Sequence, residues 1–179
     1  EWPLFSHNNV YYVWEMYAVM LQEFILMLCL GFGAIFVISI FFLRRLLPAL
    51  FLTVVVGMIY VELVGVLYVD GIPINTLSLV GLTMSIGLVV DYNMHMIISC
   101  FEITEAENNG AKARQVLRTM GKCVALGGFS TFLGVMPLSL STSEVFHMFF
   151  IIYTGIVFLG IGHGLIFTPV IISLVNEKT

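Results

Sequence analysis

Charge is what this sequence has least of. Asp, Glu, Lys and Arg supply 10% of its 179 residues, against about 25% in soluble domains. Sixty percent of the chain is hydrophobic, and the mean hydropathy is +1.05. A chain of that composition would expose too much apolar surface to stay in water as a monomer. An ordinary soluble enzyme and a disordered linker are both excluded. Basic residues are scarcer still, 7 Lys and Arg against 11 Asp and Glu. No nucleic-acid partner is expected, because phosphate binding needs a net basic face. The three cysteines, Cys29, Cys100 and Cys123, sit within or beside apolar runs and read as small buried hydrophobes, without a disulfide framework or metal site. The ten methionines have no paired His or Cys to suggest copper or haem, so no cofactor is expected. Gly-x-Ser-x-Gly, His-Glu-x-x-His and a Gly-rich phosphate loop are also missing, so enzymatic activity is not expected. The opening Glu1-Trp2-Pro3 has neither an initiator Met nor a basic n-region. No signal peptide needs discounting, and a longer parent protein is expected.

What remains is long apolar runs. The few charges divide the chain into five intervals: 24–43, 46–69, 71–101, 123–143 and 145–176, with Glu62 and Asp91 as the only charges inside them. A helix crosses a bilayer in about 20 apolar residues. Strands are a poor alternative, because no period-2 alternation runs through these segments and an open sheet cannot satisfy its backbone in lipid. The expected fold is an all-α membrane bundle of five transmembrane helices, at 24–43, 46–68, 76–98, 123–140 and 146–174. Residues 1–23, rich in Tyr and Trp, read as an interfacial lead-in. Residues 104–121 read as an amphipathic link on the membrane surface, and 175–179 as a tail.

Arg44, Arg45, Lys112, Arg114, Arg118, Lys122 and Lys178 all fall on one side of a five-span bundle; the other side has no Lys or Arg. By the positive-inside rule the C-terminus is expected in the cytosol and the N-terminal stretch in the lumen or outside the cell. Between the second and third spans, Gly71 and Pro73 mark a turn, with Asn75 as a candidate cap.

One carboxylate demands explanation. Asp91 lies about 6 Å from the middle of its span at 1.5 Å per residue. An ionised carboxylate near the bilayer centre costs about 2.5–3.5 kcal/mol on insertion scales, and a one-carbon side chain cannot snorkel out from there. His95 follows at i+4, and Gly87 and Ser99 extend the spacing into a stripe. An acid and a base so placed can pass a proton along a helix face, so a proton or cation relay is the functional reading; a structural hydrogen bond is the alternative. The relay reading requires Asp91 to be held within helices, opposite a counterpart, and not on a lipid-facing outside. Glu62, nearer the end of its span, reads as locally solvated. His163 sits among Gly160, Gly162 and Gly164, where small residues suggest packing against a partner helix. Thr131 reads as interhelical glue, and Pro169 is expected to kink the last span.

Several stretches carry a resemblance to a known family. They are Tyr11-Tyr12-Val13-Trp14-Glu15-Met16-Tyr17, Gly31-Phe32-Gly33-Ala34-Ile35-Phe36 and Asn75-Thr76-Leu77-Ser78-Leu79-Val80. Two more are Met84-Ser85-Ile86-Gly87-Leu88-Val89-Val90-Asp91-Tyr92-Asn93-Met94-His95 and His163-Gly164-Leu165-Ile166-Phe167-Thr168-Pro169-Val170. In order, they resemble the C-terminal transmembrane half of the Niemann–Pick type C and Patched family, within the resistance–nodulation–division transporters. The resemblance implies one half of a lipid or sterol transporter driven by a cation gradient, with Asp91 as the acidic relay residue and His95 beside it. It also implies membrane lipids or sterols as partners, together with an N-terminal transmembrane half and ectodomains that this chain lacks. The implied setting is an endosomal, lysosomal or plasma membrane. A sterol- or ligand-sensing receptor that pumps nothing is the second reading, and a small structural membrane subunit the third.

Overall fold

The computed structural model describes residues 9–102 and 109–175; the lead-in before residue 9, the first part of the 104–121 link and the tail from 176 lie outside the described residues. Among those described, every regular element is helical. Helix α1 runs Asn9–Leu43, α2 Leu46–Val69 and α3 Thr76–Glu102. Helices α4 (Asn109–Val116) and α5 (Lys122–Val135) are joined through a π turn, Leu117–Gly121, and α5 passes into a 3-10 turn, Met136–Leu140. Helix α6 (Glu144–Gly162) continues through a second π turn, His163–Phe167, into α7 (Thr168–Val175). Five helical stretches are long and apolar enough to cross a membrane: Tyr17–Leu43, Leu46–Val69, Thr76–Glu102, Gly110–Leu140 and Glu144–Leu174. The fold is an all-α membrane bundle.

Local chemistry sets the breaks. No proline falls between Asn9 and Leu43, so the described part of the lead-in and the first span form one helix rather than two elements. Arg44 then turns the chain with a positive φ of 52°, and Pro48 sits in the first turn of α2, where its missing N–H costs little. Gly71, with φ 68°, reverses the chain before α3 in a conformation that a side chain would strain. The Asn75 side-chain oxygen accepts the Ser78 N–H at 2.9 Å, and the Ser78 hydroxyl accepts the Asn75 N–H at 2.8 Å. This reciprocal cap satisfies two otherwise orphaned donors at the start of α3. Pro169 is the second residue of α7, one position past the second π turn, and the wider turn before it accommodates the ring and the missing donor.

Helix α6 is the hub, packed against α2, α3 and α5. Glycines allow the close approach. A Cβ on Gly155 would come within 2.8 Å of Leu63, one on Gly81 within 2.7 Å of Ile152 and one on Gly160 within 2.8 Å of Tyr92. Leu52, Ile59 and Leu63 of α2, Leu82, Met96 and Ile97 of α3 and Ile152 and Ile156 of α6 form the fully buried centre. Outward faces carry Phe41, Phe42, Leu47, Val61, Phe158 and Ile166, apolar surface that lipid covers. Cys29 and Cys123 lie on such outward faces, and only Cys100 is buried in protein. Their apolar neighbours in sequence face hydrocarbon, so the expectation that all three are buried among side chains is corrected.

Candidate functional site

Helix α3 carries the acid expected to act. Its outward stripe runs Leu77, Val80, Met84, Gly87, Asp91 and His95, all exposed, at steps of three and four residues, the spacing of a helix–helix seam. Gly87 has open space where a Cβ would stand. Asp91 and His95 share this face without an ion pair or hydrogen bond among the described residues. The helices of this chain do not enclose Asp91. Ser99 leaves the stripe: it is 5% exposed and faces the core. Each four-residue step overshoots a 3.6-residue turn by about 40°, so by Ser99 the helix has rotated about 120° from Gly87.

The residue next to Asp91 points the other way. Tyr92 is buried, lies against Gly160 of α6, and donates its hydroxyl hydrogen to Thr131 of α5 at 3.0 Å. Thr131 in turn donates to the Gly127 carbonyl at 3.0 Å. A Cβ on Gly164 would stand 3.2 Å from the main-chain oxygen of Tyr92. The small residues of the last span therefore seat the segment that holds Asp91. Asn93, wholly buried, donates to the Val89 carbonyl at 2.9 Å, and its own Oδ1 faces Gly164 with no partner.

Glu62 and His163, which sequence reading treats separately, are brought together. Glu62 Oε1 lies 3.4 Å from His163 Nε2, joining α2 to the first residue of the second π turn. His163 Nδ1 lies 3.1 Å from the Leu159 carbonyl. Glu62 is thus paired instead of only solvated, and His163 bonds polar partners as well as packing. One hundred and one positions separate the two in the chain, so no local periodicity could have joined them. Glu62 and His163 border a groove of about 520 Å³ whose other side chains are apolar, Met58, Phe158, Ile166 and Val170 among them.

A second groove, about 350 Å³, lies between α1 and α3 and is lined by Val19, Met20, Phe24, Met27, Leu79 and Val80 together with Glu23, Thr76 and Thr83, and its surface is almost wholly apolar. No group of three or more metal-ligating side chains occurs among the described residues.

These features define a class: a polytopic helical membrane protein with an acid at mid-depth on one open helix face and a Glu–His pair on another. The chain is 32% identical over 181 residues to NPC intracellular cholesterol transporter 1 of Sus scrofa, covering 99% of this chain and 14% of that protein. It is 32% identical over 175 residues to NPC1-like intracellular cholesterol transporter 1 of Homo sapiens, covering 96% and 13%. Protein patched homolog 1 of Caenorhabditis elegans is 27% identical over 172 residues, covering 96% and 12%. No family model matches. The chain belongs to the Niemann–Pick type C and Patched family of membrane proteins, and it spans about one seventh of the length of these relatives.

Proposed function

We propose that this chain forms part of a proton- or cation-coupled lipid or sterol transporter in which Asp91, with His95 beside it, carries the coupling charge. The observation that supports this most is the position of Asp91. It sits near the middle of a membrane span, on the Gly87–His95 part of a stripe with helix–helix spacing that the described helices leave exposed. Left against lipid, an ionised carboxylate there would cost about 2.5–3.5 kcal/mol or more. A relay cannot work from a carboxylate that faces lipid, so the proposal requires another helix to cover this stripe. The occupant that fits is a helix of the other half of the transporter, since substrate and ion sites of such proteins form where repeats meet. Gly87, one turn before Asp91, leaves room for that helix to approach.

The groove between α1 and α3 supports a lipid as the cargo. It is almost wholly apolar and lies between two spans, a lining that suits the hydrocarbon part of a lipid. Catalysis has no part in this reading. The basic loops belong in the cytosol, and the Asp70–Gly71 turn on the lumenal or outer side; an endosomal, lysosomal or plasma membrane suits the function.

The test is Asp91→Asn in the full-length protein in sealed vesicles. Lipid movement that follows an imposed proton or sodium gradient should be abolished, with membrane insertion unchanged. Gradient-driven flux at the wild-type rate in that variant would remove the proposal. Lipid binding that persists without any gradient-driven movement in the wild type would favour a sensing receptor, whose seat would be the α1–α3 groove.

A further inference from the structure

We propose that Glu62 and His163 form a proton-binding site of their own, separate from Asp91, that clamps α2 to the π turn of the last span while it holds its proton. The argument starts from hydrogen count. A carbonyl oxygen has no hydrogen to give, so the 3.1 Å contact between His163 Nδ1 and the Leu159 carbonyl is attractive only if Nδ1 carries the hydrogen. In a neutral imidazole that leaves Nε2 with a bare lone pair. Nε2 faces Glu62 Oε1 at 3.4 Å, and an ionised carboxylate oxygen also offers only lone pairs. Two lone pairs at that distance repel. The contact becomes favourable when one more proton lies between them, on Nε2 as an imidazolium–carboxylate pair or on Oε1 as a carboxylic acid bonded to a neutral ring. The proton count is the same in both forms, and both are neutral overall. A neutral pair is the form that low-dielectric surroundings tolerate, whereas release of the proton leaves an uncompensated negative charge inside a span.

The surroundings fit this role. His163 is 12% exposed and Glu62 42% exposed along their side chains, so the pair has a covered end on α6 and an open end on the 520 Å³ groove. A proton could exchange through that open end. His163 also begins a π turn; such turns recur at functional positions because they displace a side chain from regular helical register. Depth is shared with Asp91. Tyr92 packs on Gly160 and Gly164, which places Asp91 within about one turn, roughly 6 Å, of the level of His163.

Other titratable groups on the packed elements point elsewhere. On α3, Asp91 and His95 lie on the exposed outer stripe, and the Tyr92 hydroxyl is bonded to Thr131 of α5. On α2, Tyr60 is buried with an unpartnered hydroxyl, and on α5, Lys122 and Cys123 are exposed. Helix α7 contributes no Asp, Glu, His, Lys, Tyr or Cys. Among the described residues Glu62 is the carboxylate within ion-pair reach of His163.

The experiment is imidazole ¹⁵N NMR of the full-length protein in lipid nanodiscs at neutral pH, labelled at histidine, with His163→Gln used to assign the His163 signals. In the wild type, Nδ1 of His163 should carry a hydrogen, and Nε2 should report a proton shared with a carboxyl group. Glu62→Gln should abolish the shared-proton signal while the Nδ1 hydrogen remains; Glu62→Asp should retain the signal, and Asp91→Asn should leave it unchanged. A wild-type His163 with bare Nδ1, or a spectrum unaltered by Glu62→Gln, would overturn the proposal. Loss of the signal in Asp91→Asn would also overturn it, by showing one site where two are proposed. Because Asp91→Asn is read here without any transport assay, failure of the coupling proposal leaves this outcome independent.

Discussion

Two glycines one helical turn apart set the position of the acid. Gly160 faces the ring of Tyr92 and Gly164 faces its main-chain oxygen. The Tyr92 ring is itself buried and tied by its hydroxyl to Thr131, so neither neighbour can yield freely. Gly160→Ala and Gly164→Ala should each cost about 1–3 kcal/mol through overpacking, measured by reversible unfolding in mixed micelles. Equal stability for Gly164→Ala and wild type would show that the close approach is absent in lipid. Tyr92→Phe removes one interhelical hydrogen bond and should cost only about 0.6 kcal/mol. At this scale the sequence was partly legible. Asp91 announces itself because a carboxylate in an apolar run has few innocent explanations, and the glycine spacing around His163 points to a close packing face. The Glu62–His163 contact was illegible, because it depends on how far two distant helices slide past each other. Ser99 was misplaced because a four-residue repeat drifts around the helix, an error that grows with every turn.

The elements most open to test are the π turns. The turn His163–Phe167 inserts the equivalent of an extra residue before α7, and Thr168 beyond it is wholly buried. Deleting Ile166, which is exposed, should restore regular α-helix and leave α7 in register, because the turn had absorbed the one residue removed. Thr168 would stay buried and the packing of α7 on α4 would be kept. A cysteine at position 168 should therefore remain unreactive toward a thiol reagent in the deletion variant, on a background without Cys29, Cys100 and Cys123. Gain of reactivity would mean that α7 had rotated by about 100° and that the turn holds no extra residue. Helix boundaries were well marked in the sequence where Gly71, Pro73 and Asn75 punctuate it. The π turns were not: the second precedes Pro169, the first, Leu117–Gly121, has no proline near it, and the two share no residue signature.

For the molecule as a whole, the distribution of charge makes a topological prediction. With the same three cysteines removed, a cysteine at Ile74 and one at Arg114, both exposed positions, should be labelled by a membrane-impermeant reagent from opposite sides. Arg114 should be reached from the cytosolic side. Labelling of both from one side would contradict a bundle with an odd number of spans between the basic loops and the Gly71 turn. The number of spans was legible from the charge-free intervals alone, because lipid imposes a length that soluble folding does not. The arrangement of the five was not, because in hydrocarbon the packing faces are chosen by small residues and shape, with little hydrophobic contrast to mark them.

The unbroken length of α1 has a mechanical consequence. Its 35 residues reach about 52 Å at 1.5 Å each, while the hydrocarbon is about 30 Å thick. The residues before Tyr17, about 12 Å of stiff rod at 1.5 Å each, therefore extend beyond the apolar span at the Trp14 end, continuous with the residues that wall the α1–α3 groove. A sideways load on that mast would be delivered as a tilt, widening or narrowing the cleft at Met20 and Phe24 without any hinge between.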